Sequence, residues 1–95
     1  MISIIIPTYR NPKYLDICLK SAIEQQSRKN EIIVAVDGFI EESQLVLDKY
    51  KNDIQILDLG ENQGMQMALN LGVMNATNEL ILIVNDDNVF CKDYD

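Results

Sequence analysis

Leu80-Ile81-Leu82-Ile83-Val84-Asn85-Asp86-Asp87-Asn88 is the stretch whose reading decides the fold. An apolar run this short is far below a membrane span and reads as a buried strand. The strand ends by presenting two adjacent carboxylates, and close like charges repel unless something positive sits between them. A divalent cation carrying a phosphate ligand supplies that charge, because magnesium-like ions take one or two carboxylates together with phosphate oxygens and water. The plain alternative is an Asx-rich turn in which Asn85 and Asn88 bond their own backbone.

Working back from this strand, Met65, Ala68, Leu69, Gly72, Val73 and Ala76 recur at helical spacing. Met67, Leu71 and Met74 fall on a second face, more apolar surface than one sheet contact requires. Gly60-Glu61-Asn62-Gln63-Gly64 precedes this helix as a loop. Ile54, Ile56, Leu57 and Leu59 mark a third strand, and Gln55 and Asp58 interrupt it in a way that suits an edge position. Glu41 to Lys51 is a weaker helix carrying Leu45, Val46, Leu47 and Tyr50. Ile32 to Val36 is a second buried strand, broken by Asp37-Gly38. Before it, Tyr14, Leu15, Cys18, Leu19, Ala22 and Ile23 predict a helix from about Pro12 to about Gln26, with Asn11 as N-cap and Pro12 at the first helical position. Ile2 to Ile6 is the first strand, closed by Pro7. Beyond the acidic tip, Val89 to Asp95 completes no element.

Strand and helix alternate throughout, which predicts right-handed crossovers and a mainly parallel α/β sheet with helices on its faces. Such sheets bind ligands outside the carboxyl ends of their strands. Thr8-Tyr9-Arg10, Asp37-Gly38 and Asp86-Asp87 stand at three such ends, so the architecture itself converges them. Asp37-Gly38 reads equally as a turn or as a carboxylate accepting hydrogen bonds from a base or ribose. Arg10 has three readings: a phosphate partner, a partner for an acidic neighbour, or a solvated side chain. Asn62-Gln63-Gly64 offers backbone N–H groups to an anion, but neither a Walker nor a dinucleotide fingerprint is present.

At 95 residues and 47% apolar composition the chain makes one domain, residues 1–95, with a single core. A formal charge of −7 argues against a nucleic-acid backbone or an anionic membrane as partner. Histidine is absent, which removes Ser-His-Asp and Cys-His chemistry. Cys18 and Cys91 lack metal-ligand spacing, and Cys18 falls on an apolar helix face as a packed thiol. With no signal peptide and no long apolar run visible, the expected compartment is the cytoplasm, although a longer parent chain would be free to carry a membrane segment.

Taken together, four segments resemble the N-terminal half of a family-2, GT-A-type glycosyltransferase. Ser3 to Tyr9 resembles the family's opening strand and "IPTYN" loop, with Arg10 at the frequent Asn. Glu31 to Gly38 resembles "EIIVVDDGS". Asn62-Gln63-Gly64 and Asn70-Leu71-Gly72 resemble the "NxG…ARNxG" helix, and Asn85 to Asn88 the DxD-like metal motif. The resemblance implies a Rossmann-like half-domain of sheet order 3-2-1-4 and a hexosyltransferase-like enzyme using a nucleotide-diphospho-sugar, UDP-sugars being the commoner donors. It places Thr8 and Tyr9 around the base, Asp37 on the base or ribose, and Asp86 near the ribose or sugar. Asp87 is implied as the direct ligand of Mn2+ or Mg2+, with Asp86 beside it; Arg10, Asn62 and Gly64 complete the nucleotide-sugar set.

Three departures bear on this. Val36 replaces the first Asp of the common pair, Leu69 stands where many members carry Arg, and Asn85 replaces the first Asp of D-x-D. Family members also continue well past this motif, so the catalytic base and acceptor site are expected beyond Asp95 and the chain alone is expected to be inactive. The acceptor is unknown. An exposed fourth-strand edge, or the Met67, Leu71 and Met74 face, is expected to support homo-oligomers. The competing reading is a non-catalytic nucleotide-binding or regulatory domain. A receiver-like signalling domain fits poorly, since no lysine follows the fourth strand at a plausible site position.

Overall fold

The computed structural model describes residues 1–95. Its elements follow in the order β1 (Ser3–Thr8), α1 (Pro12–Gln25), β2 (Glu31–Val36), a short 3₁₀ turn (Ile40–Glu42), α2 (Gln44–Tyr50), β3 (Gln55–Asp58), α3 (Met65–Asn75) and β4 (Ile81–Ile83). The sheet is four-stranded with order β3-β2-β1-β4, and every pairing is parallel. This is the strand order, and the parallel pairing, expected of a GT-A half-domain. β3 lies at an edge, as its polar interruptions suggested.

Alternation along the two central strands divides the core. Ile4, Ile6, Ile32, Val34 and Val36 pack with Leu15, Cys18, Leu19 and Ala22 of α1 and Leu47 of α2. Ala35 on the opposite face meets Ala68 of α3 and Leu59. α3 sits so close to β1 that a Cβ at Gly72 would overlap Ile5 Cγ2. That proximity explains why a glycine is placed inside a helix despite its poor propensity.

Several expected boundaries and faces are corrected. The fourth strand, expected to be buried over Leu80 to Val84, spans only Ile81–Ile83 and is exposed, because it lies at the edge of the sheet; only Val84 behind it reaches the core. β1 does not close at Pro7 but runs through it to Thr8. Ser3 N–H points toward the β4 side, where it donates to the Leu80 carbonyl, and so by alternation would a Pro7 N–H. The β1–β4 ladder ends at Ile5 opposite Ile83, so the donor Pro7 lacks has no strand partner there. The second helix begins at Gln44 rather than Glu41, because Phe39 adopts a left-handed φ of 53° and the 3₁₀ turn comes first. Tyr14 is 51% exposed rather than buried, lying at the solvent margin of the α1 stripe. On α3 only Ala68 and Gly72 are buried; Met65 and Val73 face solvent, since large side chains cannot enter so narrow a contact. Leu71, by contrast, packs with Leu57 against the Ala35–Leu59–Ala68 cluster, leaving Met67 and Met74 as the exposed part of its face.

Val89 to Asp95 forms no helix or strand, yet it is strapped along α1. Phe90 N–H donates to Ser21 Oγ at 2.9 Å, Asp93 N–H to the Gln25 carbonyl at 2.7 Å, and Tyr94 O–H to the Ala22 carbonyl at 2.7 Å. The Asp95 carboxylate accepts from Ser27 N–H and Asn30 Nδ2, each at 2.8 Å, and those bonds hold its pKa well below the usual carboxylate range. The acidic turn is therefore anchored on both sides, by β4 before it and by this strap after it.

Candidate functional site

The parallel sheet brings four loops to one rim. In rim order they are Asn62–Gly64 after β3, Asp37–Phe39 after β2, Tyr9–Asn11 after β1 and Asn85–Asn88 after β4. The chain steps from β1 outward through β2 and β3, then returns to place β4 on the other side of β1. The topological switch point lies between β1 and β4, the crevice where open α/β sheets take their ligands.

Two side-chain hydrogen bonds span that crevice. Thr8 Oγ1 donates to Asp86 Oδ2 at 2.7 Å, and Asn11 Nδ2 approaches Asp86 Oδ1 at 3.3 Å. Thr8 is buried, so its hydroxyl is a fixed rather than a mobile partner. Asn11, expected as a helix cap, makes no side-chain cap bond; its amide is turned to Asp86 instead. The turn itself is closed by Asn88 N–H on the Asn85 carbonyl at 3.2 Å, a backbone bond rather than one from the Asn side chains. The Cys18 thiol faces the same turn, 3.8 Å from the Asn85 carbonyl. Burial first, then the Asp86 and Asp87 charges, push this thiol up to about 12. It is a packed, neutral group, as expected.

The two adjacent carboxylates are thus unlike. Asp86 is half-buried and held through both oxygens, whereas Asp87 is exposed and has no hydrogen-bond or ion-pair partner. No three potential ligand side chains cluster anywhere in the chain. That excludes an all-protein cage but suits magnesium or manganese, which bind through one or two carboxylates and take phosphate oxygens for the rest. Asp87 fits the direct ligand; Asp86 fits a neighbour whose orientation is set by Thr8 and Asn11.

Asp37 is only 1% exposed. Its carboxylate accepts from Gln63 N–H at 2.7 Å, Gly64 N–H at 3.1 Å and Asn62 Nδ2 at 3.1 Å. The Gln63 and Gly64 N–H groups that the sequence offers to an outside anion are therefore taken from within, and Asp37 ties down the loop that leads into α3. Gly38 makes this possible: its φ is 86°, and a Cβ there would stand 2.9 Å from Asn62 N.

Arg10 takes the acidic neighbour of its three readings. Its guanidinium makes a forked pair with Glu42, Nε–Oε1 at 3.2 Å and the second arm at 3.1 Å, and this pairing raises its pKa. The same guanidinium lies 4.3 Å from the centre of the Phe39 ring, and Tyr9 meets that ring edge-on at 6.1 Å. Phe39 and Asn11 are the rim residues that sequence reading missed. Phe39 follows Asp-Gly where a small turn residue is expected, which was the available signal. A groove of about 500 Å3 between α1 and α2 is lined by Asp16, Lys20, Lys49 and Tyr50 among others, and no strand-end residue reaches it.

A parallel sheet whose switch point carries one fixed and one free carboxylate defines an α/β unit with a candidate ligand crevice at its strand ends. Comparison with known proteins narrows that class: the profile of Glycosyl transferase family 2 matches residues 3–94, and the chain belongs to that family. Glycosyltransferase GlyG of Streptococcus pneumoniae is 30% identical over 92 residues, covering 94% of this chain and 31% of GlyG. The poly-beta-1,6-N-acetyl-D-glucosamine synthase of Staphylococcus aureus is 27% identical over 94 residues, covering 97% of this chain and 23% of that enzyme. The chain thus spans less than a third of the length of these curated relatives. Among solved structures, residues 1–349 of S. aureus TarS in complex with UDP-GlcNAc superpose with a TM-score of 0.80 at 27% identity, covering 90% of this chain and 26% of that one. A mannosyltransferase from Pyrobaculum calidifontis, in complex with GDP-Man and Mn2+, gives a TM-score of 0.86 over 97% of this chain and 29% of its own; at 19% identity it shows the fold alone.

Proposed function

We propose that this chain is the donor-binding unit of a metal-dependent glycosyltransferase that takes a nucleotide-diphospho-sugar, a UDP-sugar in the first instance. The observation that carries the proposal is the split of the Asp86-Asp87 pair across the switch point. Thr8 and Asn11 hold the first carboxylate, and the second is left free beside it. Family membership and the UDP-GlcNAc complex of TarS support the donor class.

In this reading Thr8 and Tyr9 line the base pocket, Asp37 faces the nucleoside, and Asp86 reaches the ribose or sugar. Asn62 and Gly64 bound the pocket on the β3 side, with their donors directed inward to Asp37. The rim is acidic, and its one nearby guanidinium is already paired with Glu42. A diphosphate gains from such a rim only with a divalent ion present. Held by Asp87, Mn2+ or Mg2+ would offset the charge that develops on the departing nucleoside diphosphate. The acceptor site and the base belong to further elements, so this unit binds donor without transferring sugar.

Calorimetry with UDP and UDP-GlcNAc, with and without Mn2+, tests the proposal. Binding that requires the metal and is lost in Asp87→Asn supports it; metal-independent binding, or none, refutes it. Sugar transfer or donor turnover by these 95 residues alone would refute the division of labour.

The proposal extends to self-association. Leu80 to Ile83 are all exposed on the open side of β4, and Met67 and Met74 are exposed on α3. An unpaired apolar strand is a template for another. Light scattering at high concentration reads this directly, and a strictly monomeric mass refutes it.

A further inference from the structure

Phe39 is an unusual residue for its place. Its φ of 53° puts it in the left-handed region, where a bulky side chain is a true outlier and glycine or asparagine is the ordinary occupant. Arg10, across from it on the next loop, is left-handed as well, with φ 48°. Left-handed non-glycine residues are held only where surrounding structure over-determines them, and they gather at ligand sites. Here both bring planar groups to the rim beyond the two central strands. Phe39 and Tyr9 are 39% and 41% exposed, and their rings stand at 73° to one another. One ring therefore offers a face where the other offers an edge, the corner geometry that accepts a third flat group. That third position on Phe39 is taken by the Arg10 guanidinium, 4.3 Å from the ring centre and tied back to Glu42 by two contacts.

We infer that Phe39 is the stacking platform for the nucleobase of the donor, and that the Arg10–Glu42 pair is a latch covering that platform until the base displaces it. The inference rests on the donor-binding reading above and adds a residue and a step to it. A guanidinium and a nucleobase are both planar and both stack on aromatic faces, so they compete for one surface. The latch is exposed and therefore weak, which lets a base displace it. Stacking reads the π-face rather than the base edge, so Phe39 supplies affinity for any nucleoside diphosphate and leaves the choice of base to edge contacts.

The chain contains no tryptophan, so Phe39→Trp places a single tryptophan at the platform, to be excited selectively over the four tyrosines. Its emission is followed while UDP, GDP or inorganic pyrophosphate is added with Mn2+. Both nucleotides are expected to quench it, and pyrophosphate is not. By calorimetry, Phe39→Ala should bind UDP roughly five- to a hundredfold more weakly, the range for loss of one base–aromatic stack, with pyrophosphate affinity unchanged. Arg10→Ala and Glu42→Gln should bind UDP at least as tightly as the parent chain. Equal UDP affinity in Phe39→Ala, or quenching by pyrophosphate equal to that by UDP, overturns the platform. Weaker UDP binding in Arg10→Ala overturns the latch. If the parent chain binds neither nucleotide, the donor-binding reading itself falls; the first two failures leave it standing.

Discussion

Asp37→Ala is expected to cost this domain more stability than any other substitution on the rim. The carboxylate accepts three hydrogen bonds, from Gln63 N–H, Gly64 N–H and Asn62 Nδ2. Bonds to a charged acceptor contribute about 1.5–3 kcal/mol each. Against them stands the desolvation of a buried carboxylate, several kcal/mol. Asn62 and Gln63 are exposed, so water replaces part of what their donors lose. The net loss should be about 2–3 kcal/mol, at or just above the upper end for deletion of a helix cap. For a domain of this size roughly 4–8 °C of Tm accompanies each kcal/mol, so Tm should fall by about 10–20 °C. Asp37→Asn should lose less, because its oxygen still serves one donor while its amide confronts another. Urea unfolding followed by far-ultraviolet circular dichroism gives both values. Asp87→Ala is the control: it has no partner to lose and should stay within about 0.5 kcal/mol of the parent. A destabilisation below that same margin for Asp37→Ala would refute the view that this carboxylate secures α3.

Gly72→Ala places a methyl against Ile5 Cγ2 in the α3–β1 contact; although alanine favours helix by about 1 kcal/mol, overpacking of about 1–3 kcal/mol should win, and chemical denaturation reads the sign. With its pKa pushed up to about 12 by burial, Cys18 should resist iodoacetamide in the folded chain while exposed Cys91 reacts, giving one adduct by mass spectrometry at pH 8 and two after denaturation. Asp16, held low by Lys49 and Tyr50, and Asp95, held low by Ser27 and Asn30, have folded pKa values below their unfolded ones. Their stabilisation is complete above the unfolded values near pH 4 and is lost as pH falls through the folded ones. Asp95→Asn should accordingly lower Tm at pH 7 and flatten the fall in Tm between pH 5 and 2; an unchanged slope would refute the strap's contribution.

The sheet was legible because its signal is repeated. Ile4 to Ile6 and Ile32 to Val36 are apolar runs that a parallel, two-sided sheet buries, and helical periodicity between the runs fixes the connections; Leu80 to Val84 was legible as a strand, but at the edge of the sheet it leaves all but Val84 exposed. What was not legible depends on single residues crossing between elements. Asn11 carries every mark of a helix cap, yet its amide is engaged 75 residues away by Asp86, and spacing along a chain cannot register that. Phe39 reverses the backbone at a left-handed angle, which delays α2 and moves its start to Gln44. Tyr14 matches the α1 period but stands at the margin of the stripe, where a sheet of finite width no longer covers it. Pro7 looked like a terminator because proline removes a donor; the terminus of β4 on that side makes the donor unnecessary.

The two acidic stations on the rim cannot have equal freedom to meet a ligand. A carboxylate has about four acceptor positions. Asp37 has committed three of them to the loop before α3 and is closed to solvent, so a nucleoside reaches it only through the remaining lone pair or by moving residues 62–64. Moving them would break the bonds that tie the loop leading into α3 to β2. Asp87, on a turn anchored by β4 and by the Phe90–Asp95 strap, meets a ligand with no such penalty. Val36 sharpens the contrast: with no second carboxylate beside Asp37, the end of the crevice proposed for the nucleoside offers only Asp37 and Glu42, the first tied to residues 62–64 and the second paired with Arg10. Recognition at that end should therefore rest more on the flat faces of Tyr9 and Phe39 than on a charged hydrogen bond, and specificity for one base should be modest. Comparable affinities for UDP and GDP in the presence of Mn2+ would follow from this arrangement, whereas a hundredfold preference for either would require Asp37 to be released from residues 62–64.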